Sequence, residues 1–422
     1  MDRKTFIKMG TTVSLAPFLP AIAQTKRPEK VRIGLIGCGQ RGSIHAAGLL
    51  KSDPSTELVA VADLFADQVN VGLDRIQRKA KSRLDRANVK SFSGWDAAEH
   101  LVREDLDLVI LTATPVFRPQ HLELAIKAGR HVLAEKPVCV DAVGLRKIAQ
   151  LSKLAEEKGL TIFAGTQCRY HSGLNEGIKR VHDGQIGDLV AAECHYHFNS
   201  FVGANLKMPR TADPTEMEYQ VRNWKCFIWG SGDHIVEQHV HCLDAMNWAF
   251  NRPPQTVTGI GGRSVDLPMP KYGNRYSHFG NHYDYGDGVL GSSLCRQGEG
   301  TALGAGGRII GTKGKLDFGI LGGTIITGER PWQAAQTSVN ATTVLHQALL
   351  KSIRNHEAIN QLPTIANSCL TAIAGRASAY SGRKLKLDWI RQRSQEDLLP
   401  KTLVFGENPT QALPVPGKFQ LR

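Results

Sequence analysis

The sequence of 422 residues predicts an α/β fold: a doubly wound parallel sheet in the N-terminal half, then an α+β domain with an open, mainly antiparallel sheet. Three observations predict it. An apolar run over 31–36 leads directly into a glycine-rich turn and a helix. Strand and helix patterns then alternate as far as residue 165, which is typical of a parallel sheet with helices on both faces. Beyond residue 165 the pattern changes to long, glycine-rich strands.

The glycine-rich turn has the spacing Gly37-x-Gly39-x-x-Gly42 and precedes a predicted helix over 43–50. Gly37 permits the tight turn, Gly39 lets a pyrophosphate approach the backbone, and Gly42 lets helix and strand pack closely. A second strand, 57–63, ends in Asp63, 21 residues after Gly42, where a carboxylate meets ribose hydroxyls. Because this carboxylate repels a 2′-phosphate, we expect a Rossmann domain that binds NAD, with NADP less favoured. The alternative is a glycine-rich strand–helix turn in some other α/β protein.

The other elements follow from apolar runs and their periodicity. Further strands of the parallel sheet are predicted over 106–113, 131–135 and 160–165, with helices over 120–128 and 142–158. The second half is predicted to contain strands over 189–198, 255–262 and 285–296, and helices over 344–356 and 364–382.

The first 23 residues have the pattern of a signal peptide: a basic start, a short apolar run, and Ala21-Ile22-Ala23 before Gln24. The start is similar to a twin-arginine export signal in which Lys4 replaces the second arginine. This segment is too short to span a membrane, and no other segment reaches about 18 unbroken apolar residues. We therefore predict an exported, periplasmic protein without stable membrane insertion. The alternative is a cytoplasmic protein with a basic leader.

The net charge of +13 is high, but the basic residues are scattered, and the sequence contains no helix-turn-helix or zinc-finger pattern. We therefore expect no nucleic-acid partner. The eight cysteines are widely spaced and form no C-x-x-C pair. We interpret them as small buried hydrophobic residues rather than as a disulfide framework.

Three further motifs accompany the glycine turn: Thr112-Ala113-Thr114-Pro115 with His121, then Glu135-Lys136-Pro137, then Gly165-Thr166-Gln167. Together they resemble the Gfo/Idh/MocA oxidoreductases, over about residues 31–390. The resemblance implies a two-domain NAD(P)-dependent enzyme acting on sugars, inositols or related polyols. It also implies subunit contacts through the open sheet, and hence a homo-oligomer, either a dimer or a tetramer.

On this basis the chain divides into a signal peptide (1–23), an NAD-binding domain (31–165), a domain for substrate and oligomerisation (166–390) and a surface tail (391–422). The implied cofactor-binding residues belong to the glycine turn, the end of the second strand and the three later motifs. They are Gly37, Gly39, Gln40, Arg41, Gly42, Asp63, Thr112, Thr114, Pro115, His121, Glu135, Lys136 and Gln167.

The segment 231–241 is similar to one found in exported members of this family. In a continuous helix, four ionisable residues of this region would lie within about 80° of one another: His234, Glu237, His241 and Asp244. Family members carry Asp-x-x-x-His here, beside the substrate, and Glu237 and His241 occupy those positions. Zinc is a second interpretation, but the H-E-x-x-H order is absent and hydride chemistry needs no metal, so we predict none. A solvated helix face is the remaining alternative.

The predicted catalytic residues are Lys136, His241 and Glu237. Lys136 would stabilise a developing alkoxide, and His241 would accept the hydroxyl proton. Glu237 would orient His241 or bind another hydroxyl. The predicted substrate-binding residues are these three together with three neighbours of the last Rossmann strand and of the histidine segment: Arg169, Tyr170 and Trp224.

Three functions are compatible with this pattern. The first is an NAD-dependent oxidoreductase acting on a secondary hydroxyl or keto group of a sugar or glycoside, with C3 as one candidate position. Its nucleotide would stay bound, because an exported enzyme has no free nucleotide pool. The second is an NAD-dependent glycosidase or lyase that works through transient C3 oxidation. The third is a non-catalytic sensor of sugars or nucleotides, against which Lys136 and His241 argue, because a sensor needs no proton acceptor.

Overall fold

The computed structural model describes residues 30–200, 206–210, 213–264, 267–320 and 322–422. The predicted signal peptide lies outside these residues. The described residues form two β-sheets. The first sheet contains β1 (Val31–Ile36), β2 (Thr56–Asp63), β3 (Lys90–Ser93), β4 (Leu108–Leu111), β5 (His131–Ala134) and β6 (Ile162–Ala164).

The first sheet is parallel throughout, with the strand order β3-β2-β1-β4-β5-β6. The helices of this half are α1 (Gln40–Ser52), α2 (Ala66–Ala80), α3 (Ala97–Val102), α4 (Arg118–Lys127) and α5 (Ala142–Glu157). All four residues of β4 are buried, as expected for a central strand covered on both faces. The strand order reverses between β1 and β4, and this reversal opens a crevice at the carboxyl ends of the strands, where ligands bind in such sheets.

The second sheet is mixed. Its strands are β7 (Leu189–Phe198), β8 (Thr256–Gly262), β9 (His278–Asp284), β10 (Leu290–Gln297), β11 (Gly304–Gly311), β12 (Gly314–Gly319), β13 (Thr324–Gly328), β14 (Trp332–Gln333) and β15 (Leu385–Lys386). The order is β14-β13-β12-β11-β7-β10-β9-β8-β15. The described pairings are antiparallel except that of β7 with β10. The predicted fold class is confirmed.

The remaining helices connect the two sheets or cover the second one. They are α6 (Ser172–His182), α7 (Glu216–Arg222), α8 (Ile228–Ser231), α9 (His234–Glu237), α10 (Val240–Phe250), α11 (Met269–Tyr272), α12 (Ala341–Asn355), α13 (Leu362–Ser381) and α14 (Leu387–Gln392). One face of the second sheet packs on α6, α10 and α13. The other face presents Ile260, Leu290 and Leu294, which are 73%, 57% and 53% exposed.

Two late helices connect the halves of the molecule. Helix α12 packs against α1, and its Leu345 and Leu349 share a core with Leu35 and Leu49. Helix α13 lies between α5, α10 and the second sheet, and every residue from 368 to 381 is buried. The C-terminal part of the chain therefore stabilises the first domain as well as its own.

Two of the predicted elements differ from the structure. The strand predicted over 285–296 begins only at Leu290, because Gly286, Asp287 and Gly288 have positive φ angles and form the turn between β9 and β10. The histidine segment is not one continuous helix, since α9 ends at Glu237 and α10 begins at Val240.

All eight cysteines are buried and free, which confirms their interpretation as small core residues. Among the residues that the structure describes, none of the helices has the length and apolar character required to cross a bilayer.

Candidate active site at the domain interface

The glycine turn between β1 and α1 has the geometry of a dinucleotide site. Gly37 has φ +96°, and a Cβ there would collide with the Ala113 backbone nitrogen. A Cβ on Gly42 would collide with the Gly37 carbonyl oxygen, and this oxygen accepts a hydrogen bond from Thr112 Oγ1 (2.6 Å). A Cβ on Gly39, in contrast, would meet no atom within 4 Å. The open space is therefore at the one glycine that a pyrophosphate has to approach.

Helix α1 begins directly behind this opening, with Gly39 as its N-cap and no side chain capping it. Its first-turn N–H groups are therefore available to an anion, and the helix dipole favours negative charge there. These features fit the phosphates of NAD. The predicted contact Gln40 is exposed at the first position of the helix.

Asp63 lies at the carboxyl end of β2, beside the glycine turn. Its Oδ2 accepts a hydrogen bond from the Cys38 N–H (2.7 Å), and its Oδ1 accepts one from the Phe65 N–H (3.1 Å). Burial raises the pKa of Asp63, and the two backbone hydrogen bonds oppose that rise. The carboxylate is thus fixed next to the turn, as the ribose interpretation requires.

At the end of β5, a buried carboxylate organises the other side of the crevice. Glu135 Oε1 accepts hydrogen bonds from Arg41 Nε (2.5 Å) and from His45 Nε2 (2.7 Å). His45 Nδ1 in turn lies 2.8 Å from His346 Nε2, on α12. Burial tends to raise the pKa of Glu135, but the His45 hydrogen bond and the Arg41 charge lower it well below its usual range.

The predicted cofactor contacts Arg41, Glu135 and Gln167 therefore bind one another, because Arg41 also donates to Gln167 Oε1. Their common effect is to hold the ends of β5 and β6 against α1. His45 and His346 were not among the predicted residues. They are 301 positions apart, and neither belongs to a local motif.

Arg118 is a third residue that the sequence did not reveal. Its buried guanidinium donates to the carbonyl oxygens of Glu135 and Ala113, and to that of Pro137 at 3.2 Å. Burial lowers its pKa to about 10. Arg118 thereby fixes the loop that carries Lys136.

Lys136 meets the second domain at the end of α9. Its Nζ donates to the backbone oxygen of Glu237 and lies 3.8 Å from Glu237 Oε1. Lys225 approaches the same carboxylate oxygen at 3.9 Å. Burial tends to raise the pKa of Glu237, but Lys225, Lys136 and Arg275 together lower it below its usual value. Glu237 is therefore ionised at neutral pH and lies between two ammonium groups. Lys225 was not predicted as a site residue, because it belongs to no recognisable sequence motif.

His241 lies in the first turn of α10, next to this pair. Burial and the charge of Lys136 lower its pKa to about 3, so the imidazole is neutral at pH 7. Its Nδ1 lies 3.7 Å from Cys168 Sγ, and burial raises the pKa of that thiol to about 12. Among the described residues, His241 Nε2 has no hydrogen-bond partner, which leaves this nitrogen free to accept a proton when Nδ1 carries the ring hydrogen.

The structure separates the four ionisable residues that were predicted to share one helix face. His234 is buried against Asp233, with Nδ1 at 3.2 Å from Oδ1. Asp244 accepts two hydrogen bonds from Arg169, at 2.8 and 3.0 Å. Only Glu237 and His241 remain beside Lys136. Within the described ranges, no three His, Cys, Asp or Glu side chains are grouped so as to hold a metal ion.

Two of the predicted substrate contacts have hydrogen-bond partners within the protein. Arg169 is engaged with Asp244, and its guanidinium lies 4.7 Å from the centre of the Trp248 ring. The Tyr170 hydroxyl accepts a hydrogen bond from Gln361 (2.6 Å), and its ring stacks on Phe163. Trp224 stays near the site, since the Lys225 ammonium lies 5.6 Å from its ring centre.

The remaining predicted cofactor contacts follow β4. Thr114 precedes a short turn in which Pro115 is buried. His121 lies on α4 beside Phe117, and its Nδ1 is buried without a partner among the described residues. Burial and the nearby Arg118 lower the pKa of His121 to about 4.

Comparison with known proteins identifies the family. The model described as "Oxidoreductase family, NAD-binding Rossmann fold" matches residues 31–166, and the corresponding "C-terminal alpha/beta domain" matches 178–365. The chain belongs to the Gfo/Idh/MocA oxidoreductase family. Its first domain is an NAD-binding Rossmann domain.

Among curated relatives, a glycosyl hydrolase family 109 protein of Streptomyces coelicolor is 30% identical over 160 residues, 38% of this chain and 32% of that protein. An inositol 2-dehydrogenase of Salmonella paratyphi B is 23% identical over 227 residues, 54% of this chain and 56% of that protein. The matches thus span about a third and about half of these relatives. A scyllo-inositol dehydrogenase of Lactobacillus casei, solved with NAD(H) and scyllo-inositol, shares the fold with a TM-score of 0.64 and 18% identity, covering 85% of this chain and 99% of that chain.

Gly39→Val is expected to abolish nucleotide retention in this Gfo/Idh/MocA protein. The new side chain would fill the open space beside Gly39, and we expect the bound NAD per chain to fall at least about tenfold. Denaturing the purified protein and quantifying the released nucleotide measures this. Gly298→Val is the matched control, because a Cβ there meets nothing closer than 3.4 Å and Gly298 follows β10 of the second sheet, outside the glycine turn. Full nucleotide content in Gly39→Val would contradict the assigned site.

The protein is expected to lose stability as the pH falls below about 6.5. Burial lowers the pKa of His121 to about 4 and the pKa values of His241 and His346 to about 3. Their unfolded pKa is about 6.5. The unfolded chain therefore binds protons that the folded chain does not, and stability falls from pH 6.5 downward. Asp141, with a pKa raised to about 6, and Asp63, whose pKa burial also raises, act in the opposite direction. Burial lowers the pKa of further histidines too, including His131 and His239, so the buried histidines outnumber these two carboxyl groups.

Thermal unfolding followed at intervals from pH 7.5 to 4.5 tests this expectation. His346→Gln removes one of these histidines and should flatten the pH dependence. A melting temperature that stays constant or rises toward pH 4.5 would contradict it.

Proposed function

We propose that the protein is an NAD-dependent oxidoreductase that acts on a secondary hydroxyl or keto group of a sugar or glycoside, with C3 as one candidate position. One observation carries the proposal. Lys136, at the end of β5, meets Glu237 and His241 from the other domain at the edge of the Rossmann crevice. A cationic donor, a carboxylate and a neutral imidazole are what the oxidation of a carbinol requires from the protein.

The position of Lys136 follows from the strand order. Asp63 ends β2, on one side of the reversal between β1 and β4, and Lys136 follows β5, on the other side. A dinucleotide across the crevice places its adenosine half over β2 and its nicotinamide half over β4 and β5. When bound, NAD supplies the hydride acceptor. Lys136 is then next to the reacting end.

Each of the three side chains has a separable task. Lys136 uses one N–H on the Glu237 backbone oxygen, so that two remain to hold the substrate oxygen and stabilise negative charge on it. His241 Nε2 accepts the hydroxyl proton, while Cys168 keeps the Nδ1 side of the ring in place. The ionised Glu237 accepts a hydrogen bond from a neighbouring hydroxyl and offsets the charges of Lys136 and Lys225.

The named activities of the relatives support this substrate class. The inositol 2-dehydrogenase acts on a ring of secondary alcohols, and the structural relative is a scyllo-inositol dehydrogenase. The sequence and the site are compatible with any ring that presents adjacent secondary hydroxyls to Lys136 and Glu237.

Lys136→Met and His241→Ala are each expected to lower turnover by about 10²–10⁴ while folding and bound nucleotide stay nearly unchanged, because each removes a group that acts on the reacting oxygen. The two losses should not add, since both residues serve one step. Glu237→Gln should lower turnover by a smaller factor than Lys136→Met or His241→Ala if Glu237 only binds a hydroxyl. Steady-state rates on a panel of sugars measure these effects, with thermal unfolding and nucleotide content as controls.

If no sugar is converted and both substitutions leave sugar binding unchanged, the enzyme proposal fails in favour of a sugar or nucleotide sensor.

A specific observation also favours a second candidate, an NAD-dependent glycosidase. The family 109 glycosyl hydrolase is 30% identical to this chain over the matched segment. Such a reaction would oxidise C3 transiently, remove the C2 proton and eliminate the glycosidic group. A glycoside deuterated at C3 separates the two. The oxidoreductase gives a ketosugar that has lost the deuterium and retains its aglycone. The glycosidase releases the aglycone, with deuterium still at C3 and solvent hydrogen at C2.

We further propose that the protein is exported to the periplasm with its nucleotide bound and that it forms a homo-oligomer. The leader supports export, and amino-terminal sequencing of periplasmic protein should find a start near Gln24. The exposed side chains of Ile260, Leu290 and Leu294 on the outer face of the second sheet support assembly. Light scattering of the purified protein tests it, and a monomer at micromolar concentration would exclude it.

A further inference from the structure

A layer of aromatic rings lies along the carboxyl ends of β2, β3 and β4, and the C-terminal tail completes it. Phe65 lies two residues after β2, and Trp95 two residues after β3. Phe405, from the tail, stacks on Phe65 with ring centres 5.7 Å apart and planes inclined by 24°. It also lies 5.4 Å from the Trp95 ring, which meets Phe117 at 6.1 Å.

This layer borders the adenosine end of the NAD site. The Phe65 N–H donates to Asp63 Oδ1, so the ring is attached directly to the residue whose carboxylate faces the ribose. Strands β2 and β3 lie on the adenosine side of the strand reversal, as argued above for Lys136. Phe405 therefore contacts two residues that follow the strands over which the adenosine lies.

Helix α7 fastens the tail immediately after Phe405. The Met217 N–H donates to the Gly406 oxygen (3.0 Å). Gln220 and Asn408 form a reciprocal pair, with Gln220 Nε2 donating to the Asn408 oxygen (2.5 Å) and Asn408 Nδ2 donating to Gln220 Oε1 (2.9 Å). Gln220 is buried, so these hydrogen bonds are protected from water.

Helix α7 also reaches the Rossmann domain beside Phe65. The Arg222 guanidinium lies 3.7 Å from the centre of the Phe65 ring, and it donates to both carboxylate oxygens of Asp67 at 3.0 Å. The Rossmann domain, α7 and the tail are thus joined at one point, at the rim of the crevice. Phe405 is still 45% exposed, so it forms the outermost layer there and is not enclosed in a core.

We propose that residues 405–408 form a clasp over the adenosine end of the NAD site, and that this clasp limits the rate at which the nucleotide leaves. The clasp has to lift from Phe65 and Trp95 before the adenosine is free. Its contacts are made by the tail and α7, apart from Lys136, Glu237 and His241, so it controls nucleotide exchange without taking part in the chemistry. The proposal rests on the NAD site and not on the identity of the sugar.

Phe405→Ala tests the clasp in the full chain loaded with NADH. Excess NAD is added, and the loss of bound-NADH fluorescence gives the dissociation rate without any turnover. We expect this rate to rise about tenfold, because the substitution removes both ring contacts. Phe405→Tyr keeps the ring and should stay within about twofold of the wild type. Val404→Ala is the matched control, since Val404 is 55% exposed on the same tail and should leave the rate unchanged.

Asn408→Ala provides a second test that leaves Phe405 in place, and it decides the matter if Phe405→Ala fails to fold. Loss of the reciprocal pair with Gln220 should also speed dissociation. An unchanged dissociation rate in folded Phe405→Ala or Asn408→Ala overturns the proposal, even where the melting temperature falls, because the tail is then only a structural brace. A rate that rises equally in Val404→Ala overturns it as well, as does a wild-type chain that binds no nucleotide.

Discussion

The arrangement of the site depends on one buried charge, the Glu135 carboxylate at the end of β5. An ionised carboxylate in such a position is stable only when other groups supply hydrogen bonds and opposite charge. Arg41 and His45, both on α1, supply them, and His346 on α12 supports His45 from behind. Removing one partner of such a buried pair typically costs about 3–5 kcal/mol. This requirement ties the helix after the glycine turn to the strand that carries Lys136.

The same constraint connects distant parts of the chain. His346 fits against α1 because Gly48 has no side chain, since a Cβ there would lie 2.5 Å from the imidazole. Arg118 fixes the loop after Glu135 through three carbonyl oxygens. Lys136 therefore reaches Glu237 from a rigid support, and the second domain needs only to present α9 correctly. A preorganised donor of this kind loses little free energy to reorganisation during the reaction.

Much of the first domain was predictable, because its elements depend on interactions between residues that are close in sequence. The collisions that a Cβ would cause at Gly37 and Gly42 follow from the close approach of strand and helix, and the glycine spacing reports that approach directly. The alternation of strands and helices likewise depends on periods of a few residues. The strand expected before Leu290 was wrong because three successive residues adopt positive φ angles, which an apolar pattern does not reveal.

The site was only partly predictable, because its contacts join residues that are far apart in sequence. A helical rotation of 100° per residue placed four residues on one face, but this placement assumes a continuous helix. The four are His234, Glu237, His241 and Asp244. Asp233 has φ +69°, and α9 stops at Glu237, so the two outer residues turn to other partners. Arg169 and Tyr170 follow β6 as expected, yet Asp244 and Gln361 engage them.

The charge pattern around Glu237 explains how a glutamate is accommodated at this position. The side chain places its carboxylate between Lys136 and Lys225, at 3.8 and 3.9 Å. Such distances allow attraction without a direct hydrogen bond, so the oxygens retain the capacity to accept from a substrate. A polyhydroxyl ring that enters here exchanges its own hydrogen bonds with water for bonds to groups already held in place. The neutral His241 beside them adds no further positive charge, so in the proposed mechanism the Lys136 ammonium is the main source of stabilisation for a developing alkoxide.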